Sequence, residues 1–288
     1  MTTALSPLAF DTLAGLVRAK SGLMIGKDKL YLLETRLVGI LKREKIADLN
    51  GLAERLRRPG SEALARDVVE AMTTNESFFF RDEKPFQHFR TQALPRLVAA
   101  RPPGSTLRVW SAAASSGQEA YSLAMIVAES TAMLGGRKVE IVGTDIARDQ
   151  LARSREGVYS QFEVQRGLPV QMLMRYFRKD GTNWRIADNI RAMAQFREYN
   201  LLADLRPLGR FDIVFCRNVL IYFDQPTKAR VLEGIAGLMP PDGQLYLGGA
   251  ETVLGITPRF APMVNERGVY GLATATPAAA PKRLVAAV

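Results

Sequence analysis

Residues 107–119, LRVWSAAASSGQE, decide the fold. Leu107-Arg108-Val109-Trp110-Ser111 reads as a strand, Ala112-Ala113-Ala114-Ser115-Ser116-Gly117 as a loop of small residues, and Gln118 to Leu134 as a helix. Small side chains let a ligand lie against the backbone where a helix begins. The loop is not G-x-G-x-x-G, and no Gly-Lys-Ser/Thr follows it, so it matches neither a dinucleotide fingerprint nor a phosphate loop. An adenosine ligand without phosphates suits Ala and Ser better than NAD or ATP does.

Downstream the alternation continues. Val139 to Thr144 is a second strand ending at Asp145, and Arg148 to Arg155 a short helix. Ile190 to Tyr199 contains a third strand ending at Asn200, and Phe211 to Cys216 is a fourth. Thr227 to Leu238 is helical, Pro240 to Gly243 a turn, and Gln244 to Gly248 a strand. Strands alternating with helices predict an α/β, doubly wound and mostly parallel sheet. Gly157 to Asn189 reads as irregular and helical pieces over that sheet, and the Ala/Pro-rich Thr274 to Val288 as a flexible tail.

Upstream, residues 1 to about 72 read as all-helical. Leu30, Leu33, Leu37, Ile40 and Leu41 form one apolar stripe, with Lys29, Arg36 and Arg43 in a row beside it. Arg57 to Gly60 is a break, and Ser61 to Met72 a helix with Ser61 as its N-cap. Thr73 to Arg81, TTNESFFFR, has neither period; Asp82 to Ala100 resumes as helix.

Composition bounds the rest. The 288 residues, 47% hydrophobic, suffice for one large and one small domain. No apolar run is long enough for a membrane span, and Met1 to Phe10 shows no signal peptide. The single cysteine, Cys216, excludes an intrachain disulfide and a cysteine metal cluster, and a reducing cytoplasm is the simplest compartment. The net charge of +10 suits a polyanionic partner or merely a solvated surface. His88, the one histidine, has no clustered ligands around it in sequence and reads as structural, at the surface or half-buried. Trp110 and Cys216 read as strand packing.

In such sheets ligands bind at the carboxyl ends of the strands. Glu119, at a helix start, either complements the helix dipole or meets a cationic part of the ligand. Asp145 either caps the following helix or accepts from both ribose hydroxyls. Asn200-Leu201 and Arg217-Asn218 can bind an adenine edge; Tyr222 and Phe223 read equally as core.

These pieces, in order over most of the chain, resemble the bacterial chemotaxis-receptor methyltransferases, the CheR family. They are Thr73 to Arg81, Trp110 to Ala124, Gly143-Thr144-Asp145-Ile146, and Phe211 through Cys216-Arg217-Asn218-Val219-Leu220-Ile221-Tyr222-Phe223-Asp224. The resemblance implies a helical N-terminal domain over 1–74, an S-adenosylmethionine-dependent methyltransferase domain over 75–273, and the tail at 274–288. It implies that Asn75, Ser77 and Arg81 close over S-adenosylmethionine, and that Glu119 lies near its methionine portion. Asp145 would hold the ribose, and Asn200, Leu201, Arg217 and Asn218 the adenine side. Arg81 and Tyr222 would position the methyl acceptor. The family often has Gly-Glu-Glu-Pro where Gly117-Gln118-Glu119-Ala120 stands, so the ligand role passes to Glu119 only, and Ser77 keeps the hydroxyl of the family's Thr. Some members hold a receptor tail peptide on an inserted small β subdomain, which the residues here do not reveal.

The implied reaction esterifies glutamates of chemoreceptors, giving S-adenosylhomocysteine. The implied partner is the acidic helical bundle of the receptor's cytoplasmic domain, with Lys29, Arg36 and Arg43 as docking candidates. No metal, nucleic acid or membrane insertion is expected, and nothing demands more than a monomer. Three other readings compete. A nucleic-acid methyltransferase is suggested by charge, but Arg217 to Tyr222 is not the Asp/Asn-Pro-Pro-aromatic motif common in amino-methylating DNA enzymes. A non-catalytic S-adenosylmethionine sensor or docking module would keep the pocket. An NAD oxidoreductase lacks its glycine fingerprint.

Overall fold

The computed structural model describes residues 4–273; the expected tail at 274–288 lies outside them. Five strands of the larger sheet come from the segments read as strands: β1 (Leu107–Ala112), β2 (Val139–Asp145), β6 (Ala194–Glu198), β7 (Ile213–Cys216) and β8 (Gln244–Leu247). Between β2 and β6 the chain inserts β3 (Val158–Tyr159), β4 (Phe177–Asp180) and β5 (Asn183–Ile186), and after β8 it adds β9 (Phe260–Pro262) and β10 (Val269–Leu272).

The seven-stranded sheet runs β6-β2-β1-β7-β8-β10-β9. The pairs from β6 to β8 are parallel, and β10 pairs antiparallel with both β8 and β9. The central strands are buried nearly throughout, as expected for a sheet covered on both faces. One face carries a core with Tyr121, Phe79, Phe89 and Phe215; the other carries Trp110, Phe211, Val214 and Leu232. Trp110 is fully buried, stacks on Phe211 at 5.3 Å and donates from Nε1 to Thr144 Oγ1 at 2.9 Å. The strand that begins the decisive stretch is thereby fixed to β2 by a side chain as well as by its ladder.

The helical segments Pro7–Ser21, Leu30–Arg36, Val38–Glu44, Leu49–Leu56 and Glu62–Met72 enclose a separate core with Leu13, Val17, Leu33, Leu37, Ile40, Leu52, Val68 and Met72. Leu30 and Leu41 of the expected stripe are only partly buried at its edge. Ser61 stands at the N-cap position, but its hydroxyl donates back to the Leu56 carbonyl at 2.9 Å instead of accepting from the helix. The basic row is partly spent internally. Arg36 donates to the carbonyls of Met72 and Thr73, and Arg43 pairs with Asp67 at 2.5 Å, while Lys29 is exposed and has no such partner among the described residues.

The segment 157–189 departs from expectation. It does contain helices, but β3, β5 and β4 form a small antiparallel sheet of their own. Phe177-Arg178-Lys179-Asp180 buries only its first residue and Asn183 to Ile186 only its last, so neither strand shows the alternation that would identify it. Helix 118–134 is likewise interrupted at Ser130, whose hydroxyl bonds the Ile126 carbonyl, and the helix after Asp82 passes through a π-helical turn at Phe89–Ala93. His88 is buried, not surface-facing, with Nδ1 against the Tyr246 hydroxyl at 2.8 Å.

Candidate functional site

The strand order reverses between β1 and β7, with β2 beyond β1 on one side and β8 beyond β7 on the other. Loops leaving the carboxyl ends there diverge and open a crevice. A cavity open to solvent occupies it. Asn75, Ser77, Arg81, Glu119, Asp145, Asn200, Leu201, Arg217, Asn218 and Tyr222 all line this one cavity.

One wall is the loop after β1. Ala113, Ser115 and Gly117 alternate in the left-handed region at φ 60°, 50° and 93°. For Ala113 and Ser115 such backbone costs on the order of 1–3 kcal/mol each, which surrounding contacts must offset. Those contacts are visible. Ser115 N–H donates to Asp145 Oδ2 at 2.7 Å, and Ser115 Oγ donates to the Asn75 carbonyl at 2.8 Å. Ala147 N–H donates to Asp145 Oδ1 at 2.8 Å, so Asp145 ties the two strand ends together as well as facing the cavity. Burial pushes its carboxyl above the ordinary range, and the N–H bonds from Ala147 and Ser115 only partly offset this. At Gly117 a Cβ would lie 2.9 Å from Ser154 Cβ and 3.0 Å from the Phe196 ring, so the turn needs glycine for space as well as for φ. No group of three or more His, Cys, Asp or Glu able to hold a metal occurs among the described residues.

Deeper in, Glu119 accepts from Ser111 Oγ at 2.7 Å and from Arg217 Nη1 at 3.0 Å. The Arg217 side chain is 1% exposed and also bonds the Arg81 carbonyl at 2.9 Å and Asp82 at 2.6 Å. Its guanidinium therefore cross-links the acid near the first loop to the 80–83 turn. Arg217 lines the cavity beside Asn218, with its guanidinium turned to these partners. The turn itself is strained, with Phe80, Asp82 and Glu83 at φ 50°, 66° and 44°. Arg81 sits inside it, half-buried, donating to the Glu76 carbonyl at 3.1 Å with its guanidinium over the Phe78 ring. Phe79 and Phe80 pack inward against Tyr159, Phe177 and Phe86, and only Phe78 of the three lines the cavity.

The opposite wall follows β6 and β7. Asn200 donates to the Lys20 carbonyl at 2.5 Å and accepts from Leu202 N–H at 2.9 Å, while Leu201 is buried beneath it. Asn218 is left-handed at φ 60°, and Leu220–Tyr222 is a single 3-10 turn. Cys216 is wholly buried, which pushes its thiol up and leaves it unreactive. The helical unit closes this end. Met24 N–H donates to the Tyr222 carbonyl at 3.0 Å, Leu23 forms a bridge with Phe223, and Ser21 and Leu23 line the cavity.

Three contributors went unmarked in the sequence. Ser21 and Leu23 lie far upstream with no motif. Glu251, behind the loop after β7, follows a strand but belongs to no pattern read there. Gln118, left without a ligand role, is buried and accepts from Ser116 Oγ at 2.9 Å.

A cavity that combines a phosphate-free cradle, a buried acid after β2 and a second acid beside the first loop fits an adenosine ligand with a cationic end. Residues 75–269 match the family model described as CheR methyltransferase, SAM binding domain. The chain is 37% identical over 266 residues to chemotaxis protein methyltransferase Cher2 of Pseudomonas putida, covering 91% of this chain and 96% of that one. It is 41% identical over 236 residues to chemotaxis protein methyltransferase 1 of Pseudomonas aeruginosa, covering 81% and 85%. A chemotaxis protein methyltransferase of Vibrio parahaemolyticus is 36% identical over 247 residues, covering 85% and 89%. On the strength of these matches and of the cavity that agrees with them, the chain is an S-adenosylmethionine-dependent methyltransferase and belongs to the CheR family.

Proposed function

We propose that the enzyme transfers a methyl group from S-adenosylmethionine to glutamate side chains of chemoreceptors, giving glutamyl methyl esters and S-adenosylhomocysteine. The observation that carries this reading is the position of Arg81. It is a cation lining the same cavity as Glu119, an acid suited to the donor's ammonium. A glutamate side chain has an unperturbed pKa of about 4.3 and arrives ionised, so no general base is required. The enzyme's contribution is alignment of oxygen, methyl carbon and sulfur.

In this reading Asp145 accepts from the ribose hydroxyls, and Asn200, Leu201 and Asn218 surround the adenine. Asn75 and Ser77 close the near side, while Arg217 fixes Glu119 and the Arg81 turn. Arg81 holds the incoming carboxylate through charge-assisted hydrogen bonds. Its exposure limits that grip, which matters because the acceptor's charge disappears in the transition state and overbinding the ground state slows transfer. The Tyr222 hydroxyl orients the acceptor.

We further assign residues 1–74 as a helical domain and 75–273 as the catalytic domain. The receptor partner is the acidic helical bundle of its cytoplasmic domain, so the enzyme works in the cytoplasm, as a monomer and without a metal. No helix of the described residues is long and apolar enough to cross a membrane. The test is methyl incorporation from labelled S-adenosylmethionine into receptor cytoplasmic fragments, followed by mild base. Label released as methanol is the expected result. Base-stable label would move the reaction to nitrogen or carbon. Cofactor binding without label would turn attention to nucleic acid and then to a sensor role.

A further inference from the structure

The loop after β7 has an unusual anchor. Glu251 Oε1 accepts from the backbone N–H groups of Val219 at 2.9 Å, Leu220 at 2.7 Å and Ile221 at 3.3 Å. Its Oε2 accepts from Asn218 N–H at 2.7 Å and from Gly248 N–H at 2.7 Å. One carboxylate thus collects five main-chain donors, and four of them are consecutive residues of the loop that ends in Tyr222.

This arrangement is not generic turn chemistry. Asn218 is left-handed and Val219 lies at φ −122°, ψ −39°, so neither strand nor helix pairing is available to these N–H groups. Glu251 itself is held by its own N–H on the Gly248 carbonyl at 2.9 Å. A Cβ on Gly248 would lie 2.8 Å from Glu251 Oε2 and 2.7 Å from Asn218 Nδ2, so a glycine at the end of β8 is what admits the carboxylate. Glu251 does not line the cavity; Asn218, Val219 and Tyr222 do. It stands behind the wall, with all its reach directed at the backbone that carries them.

We infer that Glu251 is a positioning residue for methyl transfer, fixing the Asn218–Tyr222 loop so that the Tyr222 hydroxyl is held in register with the donor. The inference rests on the role proposed for Tyr222. Methyl transfer depends on in-line alignment more than on acid–base chemistry, so a small loss of order in this loop falls on turnover. A glutamine at 251 keeps the shape but presents an NH₂ where one oxygen received N–H donors. It unfastens one end of the loop without removing the side chain.

The experiment compares wild type, E251Q, Y222F and the E251Q/Y222F pair, each as the full chain. Two readouts are taken: kcat at saturating cofactor and receptor fragment, and amide hydrogen exchange of peptides spanning 218–222 with S-adenosylhomocysteine bound. E251Q is expected to lower kcat about 10-fold, to weaken S-adenosylhomocysteine binding by a smaller factor through Asn218, and to speed exchange in these peptides. In the double variant the two losses should not multiply, because both act through one hydroxyl. G248A, which crowds the carboxylate without removing it, should reproduce the E251Q exchange pattern. The inference is overturned by unchanged exchange in E251Q, or by losses that multiply fully. Wild type that binds cofactor but methylates no receptor fragment would overturn the receptor reading instead. The exchange comparison would still decide whether Glu251 fastens the loop.

Discussion

The two walls of the cavity are built in opposite ways. The loop after β1 takes its shape from its own backbone, with small residues, alternating left-handed φ and one glycine, stapled by Asp145 at the end of the neighbouring strand and by the Asn75 carbonyl. The loop after β7 is made at a distance, by Arg217 reaching back to Glu119, by Glu251 from beyond β8, and by residues 23 and 24 of the helical unit. The first arrangement suits a ligand that is always the same. The second leaves the shape of the wall to contacts from several parts of the chain, which suits the side that must receive a macromolecule. If this division holds, damage to the first wall appears in cofactor affinity, and damage to the second appears in turnover as well as in the adenine contact proposed for Asn218.

The largest expected effect is that of Asp145→Ala. It removes the acceptor proposed for the ribose and strands two buried N–H groups, so S-adenosylhomocysteine affinity should fall about 100-fold, about 2.7 kcal/mol. Calorimetric titration decides; a loss under about 3-fold would break the comparison at its first wall. Next, Arg81→Ala should lower kcat about 30-fold and cofactor affinity far less. Equal losses in both would put Arg81 on the cofactor and blur the two walls into one. Gly117→Ala should then cost about 2 kcal/mol of stability, from its left-handed φ and a contact inside 3 Å, read as a shifted denaturation midpoint. The smallest effect is with pH. The ribose role proposed for Asp145 needs its ionised form, and burial pushes that carboxyl above the ordinary range. Cofactor affinity should therefore decline on acidification at a higher pH than an ordinary aspartate would dictate. Binding should release protons in that window, and Asp145→Asn should flatten the profile.

What the sequence disclosed follows the same division. Strands β1, β2, β7 and β8 were legible because both faces are buried and each reads as an apolar run. The ten candidate residues were legible because they stand at strand ends or in motifs shared with a family, and all reach one cavity. The small sheet at 158–186 was not, because β3 has only two residues and β4 and β5 each bury one residue in four, so all three look like loop. Nor was the use made of Arg217, since the identity of a residue after a strand does not say which way a long side chain turns. Glu251 and Leu23 illustrate the same limit: a contact between distant segments leaves no local pattern. His88 is a milder case, a lone polar residue whose burial depends on Tyr246 on another strand.

The backbone link from Met24 to Tyr222 and the bridge from Leu23 to Phe223 have a consequence for inheritance. The residues that shape the acceptor's side of the cavity are divided between the helical unit and the sheet, so neither half can drift alone. A relative's helical unit grafted onto this sheet would bring its own spacing between the first helix and that bridge. Gene fragments exchanged at the junction near residue 74 would then succeed only when both sides of the seam descend from the same parent.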